Sequence, residues 1–272
     1  MKPTNAISHA DYIKVEKDFH DDYADRLDWN APFDGRLSYN NFDVAAVFFR
    51  KRLGPVSGLR VLDVGSGHGN TALYLATEGA SVTSIDISPK LIDGCKKRAA
   101  INNLNVDFFV MDANVLDFPD ETFDIVVGFR TIHHLPDIFN FAKEAMRVLK
   151  TDGRLLLVEP QKWNPFVEFG RRFIKNKDID RTVTEHPLVP KDLSVIKEVF
   201  GNIFTREYEF LVAPLSILKM IKMPSLYKLG ALFVRPADSL LRLIPFLRPL
   251  YWQVFIECHK NSERNFLIEF DK

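Results

Sequence analysis

The sequence predicts an α/β fold: a doubly wound, mostly parallel seven-stranded sheet with helices on both faces, plus a helical lid. Two observations carry this expectation. From residue 58 to 160, short apolar runs alternate with helix-like segments. Such alternation builds a parallel sheet covered on both sides. The first run, VLDV, is followed by glycines at every second position, Gly65, Gly67 and Gly69. Glycine is costly in regular structure, so this triplet marks a sharp turn or a close approach of backbone to a partner.

The elements follow in order. NNFDVAAVFFRKRL (40–53) has helical apolar spacing. RVLDV (60–64), SVTSID (81–86), VDFFVMD (106–112), FDIVVGF (123–129) and RLLLVEP (154–160) read as strands. Between them, TALYLATEGA, SPKLIDGCKKRAAIN and DIFNFAKEAMRVLK read as helices, and Gly79 and Asn103 punctuate two of their ends. Beyond residue 160, PKDLSVIKEVFG reads as a helix, and TREYEFLVA and LYWQVFIECHK as two more strands. The organisation predicted is an N-terminal helical extension (1–57), a core (58–212), a lid insertion (213–248), and a final strand with tail (249–272).

The lid is rich in Leu, Ile, Phe and Pro. Its prolines at 214, 224, 236, 245 and 249 predict short helices at most. From Phe210 to Ile256 the cations are Lys219, Lys222, Lys228, Arg235, Arg242 and Arg248, and Asp238 is the one acid. Two readings stay open. The lid packs on the core or on a second subunit, its cationic stems covering apolar surface. Or it touches an anionic membrane or admits a greasy acceptor.

Composition narrows the class. Formal net charge is zero over 272 residues, without the basic excess expected of a nucleic-acid binder. Two cysteines make no disulfide framework, and no Cys/His spacing suggests a metal site, so no metal is expected. The polar first residues lack the apolar core of a signal peptide, and no apolar run is long enough to span a bilayer. A cytoplasmic location is the expectation, with peripheral membrane contact through the lid as the open alternative. Oligomeric state is not set by the sequence.

The glycine pattern is G-x-G-x-G preceded by Asp63, which departs from both the dinucleotide fingerprint and the P-loop. VLDVGSGHGN resembles the first motif of class I S-adenosylmethionine-dependent methyltransferases. SIDIS, with Asp86 ending the second strand, and VMDAN, with Asp112 ending the third, resemble the next two motifs. LDFPDETFDIVVGFRTIHHL resembles the fourth-strand region of the family's small-molecule branch, which includes quinone-ring methyltransferases. RVLKTDGRLLLVEP resembles the turn into the fifth strand. The resemblance covers roughly residues 40–160 and hardly reaches the lid. It implies a Rossmann-like fold and S-adenosyl-L-methionine as cofactor.

It also implies residue roles. Gly65, Ser66, Gly67 and Gly69 would let backbone approach the methionine part, with Asp63 near its ammonium group. Asp86 would accept from the ribose hydroxyls, since a carboxylate offers two acceptor oxygens. Ser88, followed by Pro89, suits the helix cap and leaves Asp86 free. Ile87 would pack on the adenine, and Asp112 with the backbone of Ala113 would meet its amino group. Phe129 would line the methionine end. Tyr23 resembles an N-terminal aromatic that closes over the cofactor.

The implied reaction moves a methyl group to a small, apolar or aromatic acceptor, with oxygen preferred to carbon as the receiving atom. A base is needed only where the acceptor carries a proton at attack. The candidates are His133 and His134 after the fourth strand, and His186 in TEHPL. Each also has a plain reading, as a cap, a packed core residue or a solvated loop residue. Two alternatives stand beside this one: a catalytically silent cofactor-binding partner, and another transferase on the same fold, such as an aminopropyl transferase.

Overall fold

The computed structural model describes residues 8–37, 44–173, 182–215, 218 and 223–261. Helix α1 (His9–Ala24) and α2 (Val44–Leu53) precede the sheet. Then come β1 (Arg60–Val64), α3 (Asn70–Thr77), β2 (Ser81–Asp86), α4 (Pro89–Ile101), β3 (Asp107–Val110) and β4 (Phe123–Phe129). A 3₁₀ turn (Ile132–His134), α5 (Ile138–Val148), β5 (Leu149–Pro160), α6 (Pro165–Phe173), α7 (Pro190–Phe200) and β6 (Phe204–Tyr208) follow. The insertion holds a 3₁₀ turn (Ala213–Leu215), α8 (Pro224–Leu241) and a second 3₁₀ turn (Pro245–Leu250), and β7 (Gln253–His259) closes the order.

The seven strands lie in the order β3-β2-β1-β4-β5-β7-β6. All pairs from β3 to β5 are parallel, while β7 runs antiparallel between β5 and β6. β6 therefore points the same way as β1 to β5. Successive side chains of a strand face opposite sides, and the core divides accordingly. Leu62, Val126, Leu155, Leu157 and Ile256 pack with Phe141 of α5 and Ile196 of α7. Val61, Ile125, Val127, Leu156 and Phe255 pack with Phe49 of α2, Leu73 of α3 and Ile92 of α4.

Two expectations are corrected. β3 is shorter than the VDFFVMD run: it is an edge strand with a partner on one side alone, and it ends at Val110, where its partner β2 ends at Asp86. The lid is not cut into short helices. Helix α8 continues for 18 residues with Pro236 inside it. An interior proline costs about 3 kcal/mol. Here buried Tyr227 and Ala231 and a buried carboxylate, Asp238, hold the helix on both sides of the ring. Lys219 and Lys222 lie outside the described residues.

Candidate active site

The carboxyl ends of β1, β2 and β4 meet where ligands of open α/β sheets bind. After β1, the backbone N–H groups of Gly65 and Ser66 both donate to the Ile85 carbonyl, at 2.8 and 2.9 Å. Gly65 has φ +82°, and a Cβ there would stand 2.3 Å from Thr131 Oγ1. Only glycine lets this turn pass under the segment that follows β4. At Gly67, φ is +49° and nothing lies within 4 Å of the Cβ position, so the bare backbone faces open space. Gly69 starts α3 and does not line the cavity.

A cavity of about 320 Å³ opens here. Gly65, Ser66 and Gly67 line one side, with Phe129 and Thr131 beside them. Asp86 and Ile87 line a second side, and Met111, Asp112 and Ala113 continue it. Asp86 accepts from the Gly67 N–H through Oδ2 and from the Ser88 N–H through Oδ1, both at 3.0 Å. Each oxygen keeps a second lone pair. Ser88 is the cap of α4, its Oγ accepting from the Leu91 N–H at 3.1 Å. Asp112 accepts from the Asn114 N–H at 2.8 Å through one oxygen, and His9 Nε2 lies 2.8 Å from the other.

Asp63 sits behind this lining, fully buried. Ser84 Oγ donates to its Oδ2 at 2.7 Å, and Ser66 Oγ lies 2.7 Å from Ser84 Oγ. Its Oδ1 has no partner. Burial pushes its carboxyl up to about 7; the Ser84 bond opposes this and the Asp86 charge adds to it. An unpaired, desolvated acceptor next to the glycine turn is what a cationic ligand group would relieve.

Helix α1 forms the roof. Ile13, Glu16, His20 and Tyr23 all line the cavity. Their spacing, i, i+3, i+7 and i+10, is one helical stripe. Glu16 is buried and its carboxylate is saturated. Thr182 Oγ1 donates to Oε1 at 2.7 Å, and Thr184 Oγ1 donates to the same oxygen. Oε2 lies 3.1 Å from His134 Nδ1 and 3.4 Å from His20 Nε2. Burial alone would raise the Glu16 pKa, but the bonds to His134 and His20 win and hold it below the usual carboxylate range. On His20, burial is outweighed by the Glu16 bond and by Asp86, so its pKa is raised. On His134, burial prevails over the Glu16 bond and the pKa is lowered. The two imidazoles on one carboxylate are thus pushed in opposite directions, His20 toward holding its proton and His134 toward losing it. Glu16, His20 and His134 offer donor atoms within 4.8 Å of one another, as a metal site would. Protons and hydroxyls already fill the carboxylate, so the cluster is complete as a hydrogen-bonded set.

The three candidate bases take different places. His134 lines the cavity. His133 is buried, its Nδ1 2.6 Å from Glu159 Oε2, and it does not line the cavity. His186 is half-buried beside Tyr12, also outside the lining, and its backbone N–H donates to the His133 carbonyl at 3.0 Å. Glu159, at the end of β5, also accepts from the Thr131 and Ile132 N–H groups at 2.8 and 2.9 Å. It shapes the turn after β4, where Arg130 is held at φ +59°. The sequence reading named neither Glu16 nor Glu159. Counting back by helical steps from Tyr23 would have reached Glu16. Trp29 lies outside the cavity lining, its ring 4.9 Å from that of His68 in the glycine turn. A Cβ on Gly94 of α4 would stand 2.3 Å from the Trp29 ring.

Residues 62–157 match the protein family described as "Methyltransferase domain". The matched stretch runs from β1 into β5 and takes in the glycine turn, Asp86 and Asp112. Among curated relatives, the 27-O-demethylrifamycin SV methyltransferase of Amycolatopsis mediterranei is 38% identical over 104 residues, covering 37% of this chain and 38% of the relative. The demethylmenaquinone methyltransferase of Tropheryma whipplei is 34% identical over 128 residues, covering 46% and 53%. The phthiotriol/phenolphthiotriol dimycocerosates methyltransferase of Mycobacterium leprae is 35% identical over 124 residues, covering 45% of each. The chain spans about half or less of the relatives it matches. In fold, it is similar to a Haemonchus contortus N-methyltransferase bound to phosphomonomethylethanolamine and S-adenosylhomocysteine (TM-score 0.57, 19% identity, covering 93% of this chain and 60% of that one). It is also similar to the [4+2]-cyclase SpnF (TM-score 0.54, 19% identity, 78% of each).

Proposed function

We propose that this chain transfers a methyl group from S-adenosylmethionine to a small, apolar or aromatic acceptor, with oxygen favoured as the receiving atom. The observation that carries the reading is the join between Gly67 and Asp86. A bare backbone turn and a two-oxygen acceptor share one hydrogen bond at the mouth of one cavity. In this reading the methionine part lies along residues 65–67 with Phe129 beside it, and its ammonium group turns toward Asp63. Asp86 accepts from the ribose, Ile87 packs on the adenine, and Asp112 and Ala113 meet its amino edge. Tyr23 and the rest of the α1 stripe cover the bound nucleoside.

The cofactor supplies a methyl group already activated by the sulfonium. This chain's part is alignment, which is worth about 7–11 kcal/mol in well-oriented reactions. For an acidic hydroxyl acceptor, His134 Nε2 takes the proton, while Glu16 fixes the tautomer through Nδ1. The names of the relatives, which include a menaquinone precursor and a dimycocerosate, support an apolar acceptor. SpnF shows that this fold also serves under the name of a cyclase, so the fold alone does not select the reaction.

The test is calorimetry with S-adenosylmethionine and its demethylated product, followed by transfer of labelled methyl to a fractionated extract. Heat of binding and label in an organic-soluble fraction are expected, and Asp86→Ala should weaken binding at least tenfold. No heat from folded protein overturns the reading. Heat without any labelled product would favour the silent partner.

A further inference from the structure

Helix α8 is anchored by one side and apolar on the other. At about 100° per residue, Tyr227, Ala231 and Asp238 fall within a narrow arc, and all three are buried. Asp238 is turned inward, accepting from the N–H groups of Phe210, Leu211 and Val212 at 3.2, 2.7 and 3.3 Å. The opposite arc carries Leu226, Leu229, Leu232, Phe233 and Leu240, all exposed, with Leu232 at 66% and Phe233 at 74%. Leu243 and Phe246 extend the same exposed surface beyond the helix. A soluble helix ordinarily turns polar groups outward, and an apolar surface of this kind marks a contact site.

The charge around it names the partner. Lys228 and Arg235 lie along one margin of the apolar arc, and Arg248 is exposed beyond the helix end. The one acid of the segment, Asp238, is buried and occupied by backbone. The outward face thus offers apolar side chains and cations without a carboxylate. Two copies of this face meeting through α8 alone would set its cations against their own kind. A neighbouring stretch adds aromatics: Trp163, Phe166 and Phe169 are exposed in and before α6, which packs on the same 3₁₀ turn, Ala213–Leu215, as α8 does. An exposed apolar arc with cations along its margin, as on α8, suits the boundary of an anionic bilayer; α6 itself also carries an exposed acid, Glu168. Among the described residues, no helix is long and apolar enough to cross a membrane, so the helix would lie on the surface.

We infer that the outer face of α8, with the 3₁₀ turn after it, docks on an anionic lipid surface. The placement has a consequence for the site. β6 points with β1 to β5, so the insertion leaves the sheet at the same end as the cavity. Docking would therefore hold the protein by a segment rooted at the cavity end of the sheet. The inference stands without the methyl-transfer reading.

The test uses the whole chain and sedimentation with vesicles of phosphatidylcholine, with or without phosphatidylglycerol. The expected result is pelleting with the anionic vesicles that weakens with salt. Leu232→Ser with Phe233→Ser should cut the partition at least tenfold, and Lys228→Glu with Arg235→Glu should abolish the preference for phosphatidylglycerol. Cofactor binding by the same variants, unchanged, shows that they fold and keeps a failure here separate from a failure of the catalytic reading. Wild-type protein left in the supernatant overturns the inference. So does equal pelleting on neutral vesicles, or a lipid-free dimer that the Leu232/Phe233 pair of substitutions dissolves.

Discussion

The helix that lines the cavity, α1, and the long helix of the insertion, α8, are held by opposite means. α1 is clasped by directional polar contacts. Glu16 takes donors from Thr182, Thr184, His134 and His20; Asp21 accepts from Ser88; His9 meets Asp112; and the Tyr12 hydroxyl donates to the Thr184 carbonyl. α8 is pinned by Tyr227, Ala231 and one backbone-bound carboxylate, while its outer face stays apolar. Polar contacts are strong only in the right geometry, so α1 is set or released as a unit. Apolar contact is not directional, so α8 can meet a yielding surface. The first helix lines the cavity, and the second turns an apolar face outward.

The largest expected effect comes from removing the clasp. Glu16→Ala leaves two imidazoles and two hydroxyls without their acceptor, so a loss of about 3–5 kcal/mol is expected. Thermal melts check this, and methyl transfer should fall at least a hundredfold. A variant as stable and active as the parent would erase the contrast between the two helices. Asp238→Ala should cost about 1–3 kcal/mol by leaving buried N–H groups unsatisfied, yet leave cofactor affinity unchanged in calorimetry. A fall in affinity would couple α8 to the cavity.

The pH dependence sharpens the comparison further. Glu16 is depressed when folded, so its stabilisation is present above the ordinary carboxylate pKa and is lost as pH falls through the folded value. His20 is raised, so its stabilisation is present below the ordinary imidazole value and is lost as pH rises through its folded value. The stability difference between parent and Glu16→Gln should therefore peak between about pH 5 and 6.5, as read from melts across pH. Asp63 has the opposite sign from Glu16. Its carboxyl is raised to about 7, so it costs stability as pH climbs from the ordinary carboxylate value toward 7. Asp63→Asn should melt higher than the parent at pH 8 without cofactor and bind the cofactor less tightly. The smallest effect is expected of Gly67→Ala. There is room for the methyl group, and the left-handed backbone costs about 1–2 kcal/mol; cofactor affinity should drop more than stability.

The sequence made the β1–α3–β2–α4 half legible because its signals are local. Short apolar runs, a glycine turn and a Ser-Pro cap each act within a few residues, and Ser88 caps α4 as read. The roof and the α8 surface were harder. Glu16 owes its role to residues more than a hundred positions away, and Glu159 looks like one more residue at a strand end until the Thr131 and Ile132 amides point at it. Pro236 misled for a related reason. Its local cost predicts a break, while Tyr227 on one side and Asp238 on the other keep the helix continuous.

The packing of Trp29 against His68, made possible by the missing side chain of Gly94, gives the molecule its own optical probe. An indole at the edge of the glycine turn would register nucleoside arrival as a change in emission, without any added dye. Trp163 stands half in solvent near α6 and would brighten or shift on meeting lipid. With the third tryptophan, Trp252, replaced by Phe throughout and Trp29 or Trp163 replaced in turn, two events at two places could be watched separately in one cuvette.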